Sequence, residues 1–66
     1  MKDFYIHMSD GKAYLVRAEK MVDVKHQIGQ ARLINGGFMD VRIPEIYKYV
    51  TINVEQITYI EEDDEF

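Results

Sequence analysis

The dipeptide Asp10-Gly11 lies between two β-prone runs, Phe4-Tyr5-Ile6-His7-Met8 and Ala13-Tyr14-Leu15-Val16-Arg17. A two-residue type I′ turn needs positive φ at both central positions, and Asp-Gly supplies this with little strain. The spacing predicts an antiparallel hairpin in which Met8 faces Ala13, His7 faces Tyr14, Ile6 faces Leu15 and Tyr5 faces Val16. One face then carries Phe4, Ile6, Met8, Ala13 and Leu15 and reads as core. The other carries Tyr5, His7, Tyr14 and Val16 and is amphipathic.

Between Glu19 and Ala31 the pattern is ambiguous. Met21, Val24, Ile28 and Ala31 share a helical face, whereas Val22, Val24 and Ile28 also fit strand alternation. The favoured reading is a helix of about three turns with a poor N-cap, ending near Gly29, where a glycine can take the left-handed cap conformation. Asn35-Gly36-Gly37 reads as a turn, and Ala31-Arg32-Leu33-Ile34 before it either finishes the helix or forms a short strand. Phe38 to Ile43 reads as a strand with Met39, Val41 and Ile43 on one side, stopped by Pro44. Ile46 to Ile52 and Ile57 to Ile60 read as two further strands. Asn53 is placed to cap a short turn between them, with Val54 and Ile57 buried beneath it. The predicted order is β-β-α-β-β-β, an α+β but mostly β class. A bent sheet or small five-stranded SH3-like or Sm-like barrel with one short helix is the simplest closure.

Sixty-six residues make one small domain, and such a chain buries only about 60% of the surface its unfolded form exposes. The core alone then supplies about 3–5 kcal/mol. Cysteine is absent, so neither a disulfide nor a thiolate metal site can add to this. Oligomerisation is the remaining supplement, and the 47% hydrophobic content leaves material for it. The formal charge of −4 is a property of one end: residues 1–60 hold 8 basic and 7 acidic side chains, and Glu61-Glu62-Asp63-Asp64-Glu65 supply the other five acids. The expected organisation is a body over 1–60 and an acidic tail over 61–66. A solubilising terminus is the default role of such a run, an autoinhibitory arm or a nucleic-acid mimic the alternatives. No apolar run is long enough to span a bilayer, and the N-terminus lacks a signal-peptide pattern, so a cytoplasmic location without membrane contact is expected.

The stretch Ile52-Asn53-Val54-Glu55-Gln56-Ile57-Thr58-Tyr59-Ile60-Glu61 has the form I-N-x-x-x-I-x-x-I-E. It resembles the closing strands of bacterial small-barrel families, among them LytTR-type DNA-binding domains and short flagellar-operon proteins of the FlbD kind, and of small phage and prophage proteins. The resemblance covers about ten residues. It implies a small-barrel fold and a phage or prophage origin, and it carries over no functional residue.

Chemistry-bearing motifs are sparse. His7 and His26 match no zinc spacing, and a site would need three or four convergent ligands. Ser9 lacks a nucleophile context, and Gly36-Gly37 belongs to no phosphate loop. No catalytic, metal or cofactor residue is assigned, and the chain is not expected to be an enzyme. The tyrosines carry the candidate interaction residues: Tyr5, His7, Tyr14, Tyr47 and Tyr49, with Arg42, on one exposed sheet face. The competing reading has the tyrosines covering the barrel ends and the underside of the helix. The leading expectation is a non-enzymatic protein-interaction module that self-associates and binds a protein partner, such as a phage-encoded accessory or inhibitor of a host system. A small-ligand binder with its site between subunits is the alternative. A nucleic-acid-binding regulator comes last, because the body has no basic excess.

Overall fold

The computed structural model describes residues 1–46 and 48–63. Its elements run β1 (Lys2–Met8), β2 (Ala13–Ala18), α1 (Met21–Ile34), β3 (Phe38–Arg42), β4 (Tyr49–Asn53), a 3₁₀ turn (Val54–Gln56) and β5 (Ile57–Glu62). The order β-β-α-β-β-β is the one predicted. All five strands join one antiparallel sheet, ordered β4-β3-β2-β1-β5.

The first hairpin forms, but through a different turn. The Gly11 amide bonds the Met8 carbonyl at 3.0 Å, and the Met8 amide bonds the Lys12 carbonyl at 2.8 Å. The loop is therefore three residues, Ser9-Asp10-Gly11, with Gly11 left-handed at φ +88°. This matches the three-residue loop that ends in a left-handed glycine and a bulge. The Asp10 carboxylate accepts the Lys12 amide at 3.0 Å and steadies the bend. One extra loop residue moves the register by one: His7 pairs with Ala13, Ile6 with Tyr14, Tyr5 with Leu15 and Phe4 with Val16. Because side chains alternate, a shift of one turns over every residue of β2. Tyr14 and Val16 point to the core side with Phe4, Ile6 and Met8, and Leu15 turns to the other face, the reverse of the predicted arrangement.

Helix α1 also runs further than predicted. It passes through Gly29 and ends at Ile34, where the amides of Asn35 and Gly37 both reach the Ala31 carbonyl, at 3.1 and 2.8 Å. Gly37, at φ +91°, is the position that needs glycine. It turns the chain into β3, and its carbonyl accepts the Val54 amide at 2.8 Å. At the other end the Lys20 side chain has no acceptor to offer, and only its backbone carbonyl takes the Asp23 amide, at 3.0 Å. The Asp23 carboxylate compensates by accepting the Lys20 amide at 3.1 Å.

Asn53 caps the 3₁₀ turn as predicted, its side-chain oxygen accepting the Glu55 amide at 3.0 Å. This corner shapes the whole sheet. In a flat sheet the outer strands β4 and β5 would lie about 19 Å apart, four spacings of about 4.8 Å. The chain from Asn53 to Ile57 reaches at most about 14 Å even when extended. The sheet must therefore curl. It does not close as a barrel: β4 and β5 remain its two edges. Helix α1 packs across the concave side on β2, β3 and the 3₁₀ turn. Phe4, Ile6, Val16, Val24, Ile28, Ala31, Val41, Ile52 and Val54 form the core there, with Tyr14, Met39 and Ile57 packed at its margin.

The boundary expected at residue 60 falls inside β5. Glu61 pairs with Tyr5 and Glu62 with Phe4, and the Asp63 amide bonds the Asp3 carbonyl at 2.9 Å. The first two acids of the run are thus strand residues; 64–66 lie outside the described residues.

Two glycine substitutions test this account. Gly11→Val forces a β-branched residue to positive φ and should cost more than about 1 kcal/mol in chemical denaturation. Gly29→Ala should instead stabilise by about 0.5–1 kcal/mol, because the helix interior favours alanine and a Cβ there meets nothing within 4 Å. A loss of stability at Gly29→Ala would mean that the helix is broken at that point.

Candidate functional site

The convex face of the sheet, opposite the helix, holds the exposed aromatics Phe38, Tyr49 and Tyr59 together with five charged side chains. Strand pairing sets its layout. Arg42 pairs with Tyr49, Leu15 with Arg42, Tyr5 with Leu15, and Glu61 with Tyr5. One residue from each strand thus forms a row across the sheet: Tyr49, Arg42, Leu15, Tyr5, Glu61. A second, shorter row beside it runs through Ala13, His7 and Tyr59.

Contacts along these rows hold the side chains in place. The Arg42 guanidinium donates to the Tyr49 hydroxyl at 2.8 Å and lies 4.9 Å from the centre of that ring. The His7 ring stacks on Tyr59, centroids 4.1 Å apart and planes within 7°. Its Nε2 lies 2.7 Å from a Glu61 carboxylate oxygen. Arg17 pairs with Asp3 at 2.9 Å, and the Thr51 hydroxyl donates to Asp40 at 2.6 Å. A bulge in the β1–β5 ladder at His7/Met8 is tied down by the Thr58 hydroxyl, which donates to the His7 carbonyl at 2.9 Å.

Charges of both signs alternate over this face: Arg17 and Arg42 against Asp3, Asp40 and Glu61. Such a surface creates no one-signed field for a phosphate backbone. No buried side chain among the described residues is polar or charged, and no three His, Asp or Glu residues among them gather as metal ligands. No helix among them is long and apolar enough to cross a membrane.

Of the residues predicted to share a face, the structure brings Tyr5, His7, Arg42 and Tyr49 together on the convex side. Tyr14 is a correction. It pairs with Ile6 and packs at the margin of the core, because the three-residue loop turns β2 over. Tyr47 lies outside the described residues. Tyr59, Glu61 and Leu15 were missed. Alternation from Ile60 inward would have placed Tyr59 outward. Glu61 was hidden in the acidic run, and Leu15 carried no signal at all.

Leu15 is the unusual member. It is only 5% exposed although it lies on the convex face and outside the main core. Its neighbours in register, Tyr5 and Arg42, are the long side chains placed to cover it. Beside it β2 and β3 share a single registered pair, Leu15 with Arg42. Where the strands part, a cleft of about 350 Å³ opens, lined by Leu15, Arg17, Asp40, Arg42 and Tyr49 together with Met1, Val16, Gln27 and Val41.

No protein-family model matches the chain, and comparison with curated proteins and with solved structures gives no match.

A truncation tests whether Leu15 anchors this face. Leu15→Ala should destabilise by about 2 kcal/mol or more, as for an interior leucine. Urea titration reads this directly; a change under about 0.5 kcal/mol is the value for an exposed position and would show that the row does not cover it.

Proposed function

We propose that the protein is a non-catalytic interaction module whose convex sheet face docks a protein partner. The observation that supports this is the row Tyr49–Arg42–Leu15–Tyr5, flanked by the stacked His7–Tyr59 pair. Tyrosine and arginine are enriched in protein interfaces because each joins a large contact area to a polar tip. Here their rotamers are already restrained by the Arg42–Tyr49 bond and the ring stack, which reduces the ordering cost of binding. The mixed charge of the face suits a protein surface of mixed charge better than a nucleic acid. An accessory or inhibitor role of phage origin is the setting we attach to this module, resting only on the likeness of residues 52–61 to phage and prophage proteins.

The cleft between β2 and β3 favours a second reading. Its volume falls at the low end of small-molecule sites, and arginine and tyrosine line it. A small anionic ligand is the occupant this lining suits, and it would raise the melting temperature of the isolated protein.

The test is a comparative capture. The native chain and the variants Tyr49→Ala and Tyr59→Ala are immobilised, each checked for folding by circular dichroism. A protein retained by the native chain and lost by both variants supports the docking face. Equal retention by all three, or retention of none, overturns it.

A further inference from the structure

We infer that β4 is a dimerisation edge, which pairs antiparallel with β4 of a second copy to make one continuous ten-stranded sheet. The inference is independent of the partner proposed for the convex face.

The argument starts from which way the backbone of β4 points. At one end of the β3–β4 ladder the Ile43 amide donates to the Lys48 carbonyl at 2.8 Å. At the other the Val54 amide donates to the Gly37 carbonyl at 2.8 Å. Both bonds use even-numbered residues from 48 to 54. Antiparallel pairs alternate between bonded and non-bonded, so Val50 and Ile52 bond to β3. Tyr49 and Thr51 therefore turn their amides and carbonyls to the open edge, and Asn53 its amide, its carbonyl being the acceptor that opens the 3₁₀ turn.

Those outward groups fit a two-fold partner. Centring the axis on Thr51 pairs Thr51 with Thr51 of the other copy, and Tyr49 with its Asn53. Tyr49 and Thr51 offer carbonyls and Thr51 and Asn53 offer amides in matching positions, so about four inter-chain backbone hydrogen bonds form in a single register. The side chains then agree on both faces. On the concave side the cross-sheet row reads Val41, Val50, then Ile52 and Met39 of the second copy, apolar throughout. On the convex side it reads Arg42, Tyr49, then Asn53 and Phe38 of the second copy. Tyr49 is 60% and Phe38 51% exposed in the single chain, and this row brings them within reach across the small Asn53. The two Asp40 carboxylates stand three strand spacings apart, about 14 Å, beyond the screening length at physiological salt.

The two edges of the sheet differ in protection. Strand β4 has no charged residue and no proline over Tyr49–Asn53. Strand β5 ends in Glu61-Glu62 and is followed by Asp63, and charge is a common device for keeping an edge unpaired. Pairing through β4 sets two convex faces side by side, and a C2 dimer is the commonest closed assembly.

Light scattering in line with size exclusion tests the mass, and amide exchange tests the edge. The native chain should have a two-chain mass at tens of micromolar. Thr51→Glu puts like charges opposite each other at the axis, beside both Asp40 residues, and should raise the dissociation constant at least tenfold. Mixing T51E with T51K should restore the two-chain mass as the mixed pair. On dilution of the native protein, the amides of Thr51 and Asn53 should lose protection, while those of Val50 and Ile52 keep it. A single-chain mass into the millimolar range overturns the proposal. So does a mass above two chains, or exchange at Thr51 that is independent of concentration. The last readout needs no variant, so it decides the matter even if T51E fails to fold.

Discussion

The register of the first hairpin is the constraint on which the rest of the fold depends. Strand β2 is the centre of the sheet, with β1 and β5 to one side and β3 and β4 to the other. Its orientation decides which residues meet the helix. With the loop Ser9-Asp10-Gly11 closed by Gly11 in a left-handed conformation, Val16 and Tyr14 face α1 and join Phe4 and Ile6. With a two-residue loop Leu15 would face the helix instead, and Val16 would lie outside. Both arrangements bury an aliphatic residue, so hydrophobicity alone does not choose between them. The choice rests on the loop: the Met8–Gly11 and Met8–Lys12 bonds and the Asp10 carboxylate satisfy its backbone in the longer form.

The second constraint is the short corner after β4. Three residues, Val54–Gln56, carry the chain from one edge of the sheet to the other, so the sheet has to curl around whatever fills its concave side. A single helix of 14 residues fills it. This explains why such a short chain keeps a compact core without a disulfide: the curl lets one helix touch β2, β3 and the 3₁₀ turn together. Arg32 in its last turn reaches Glu55 at 2.9 Å and ties helix to corner, although an exposed pair of this kind contributes less than about 1 kcal/mol. Curling also gathers the aromatic and charged side chains that do not fit inside onto the convex face, where strand pairing orders them into rows.

The convex face and the β4 edge belong to one surface. Tyr49 is a member of both: its ring and hydroxyl meet Arg42, and its backbone points to the open edge. A side chain of the proposed docking face is thereby placed next to the point where a second copy would extend the sheet. In the paired form the row that begins at Glu61 of one copy continues through Tyr49 to Asn53 and Phe38 of the other. The proposed docking face then doubles in width without any new residue type.

By itself the sequence determined the elements and their order. Asp10-Gly11 marks a hairpin, Asn53 a capped turn, and the alternation in Phe38–Arg42 a strand with Met39 and Val41 inward; each is a local signal, read within a few residues. The aromatic character of the site was legible for the same reason, since Tyr5, His7, Arg42 and Tyr49 lie in segments whose period was clear. Tertiary structure decided the rest. A one-residue difference in loop length is almost invisible in sequence yet turns a whole strand over, and it sent Tyr14 inward and Leu15 outward. The helix crossed Gly29 because Val24, Ile28 and Ala31 are held against the sheet, and that packing outweighs the weak helix propensity of one glycine. Glu61 and Glu62 read as tail because their charge is local information, whereas their pairing with Tyr5 and Phe4 comes from a strand more than fifty residues earlier. Closure was left open by pattern alone. The short reach from Asn53 to Ile57 bends the sheet, but pairing of β4 with β5 does not follow, and the edge that remains is a property of the folded chain.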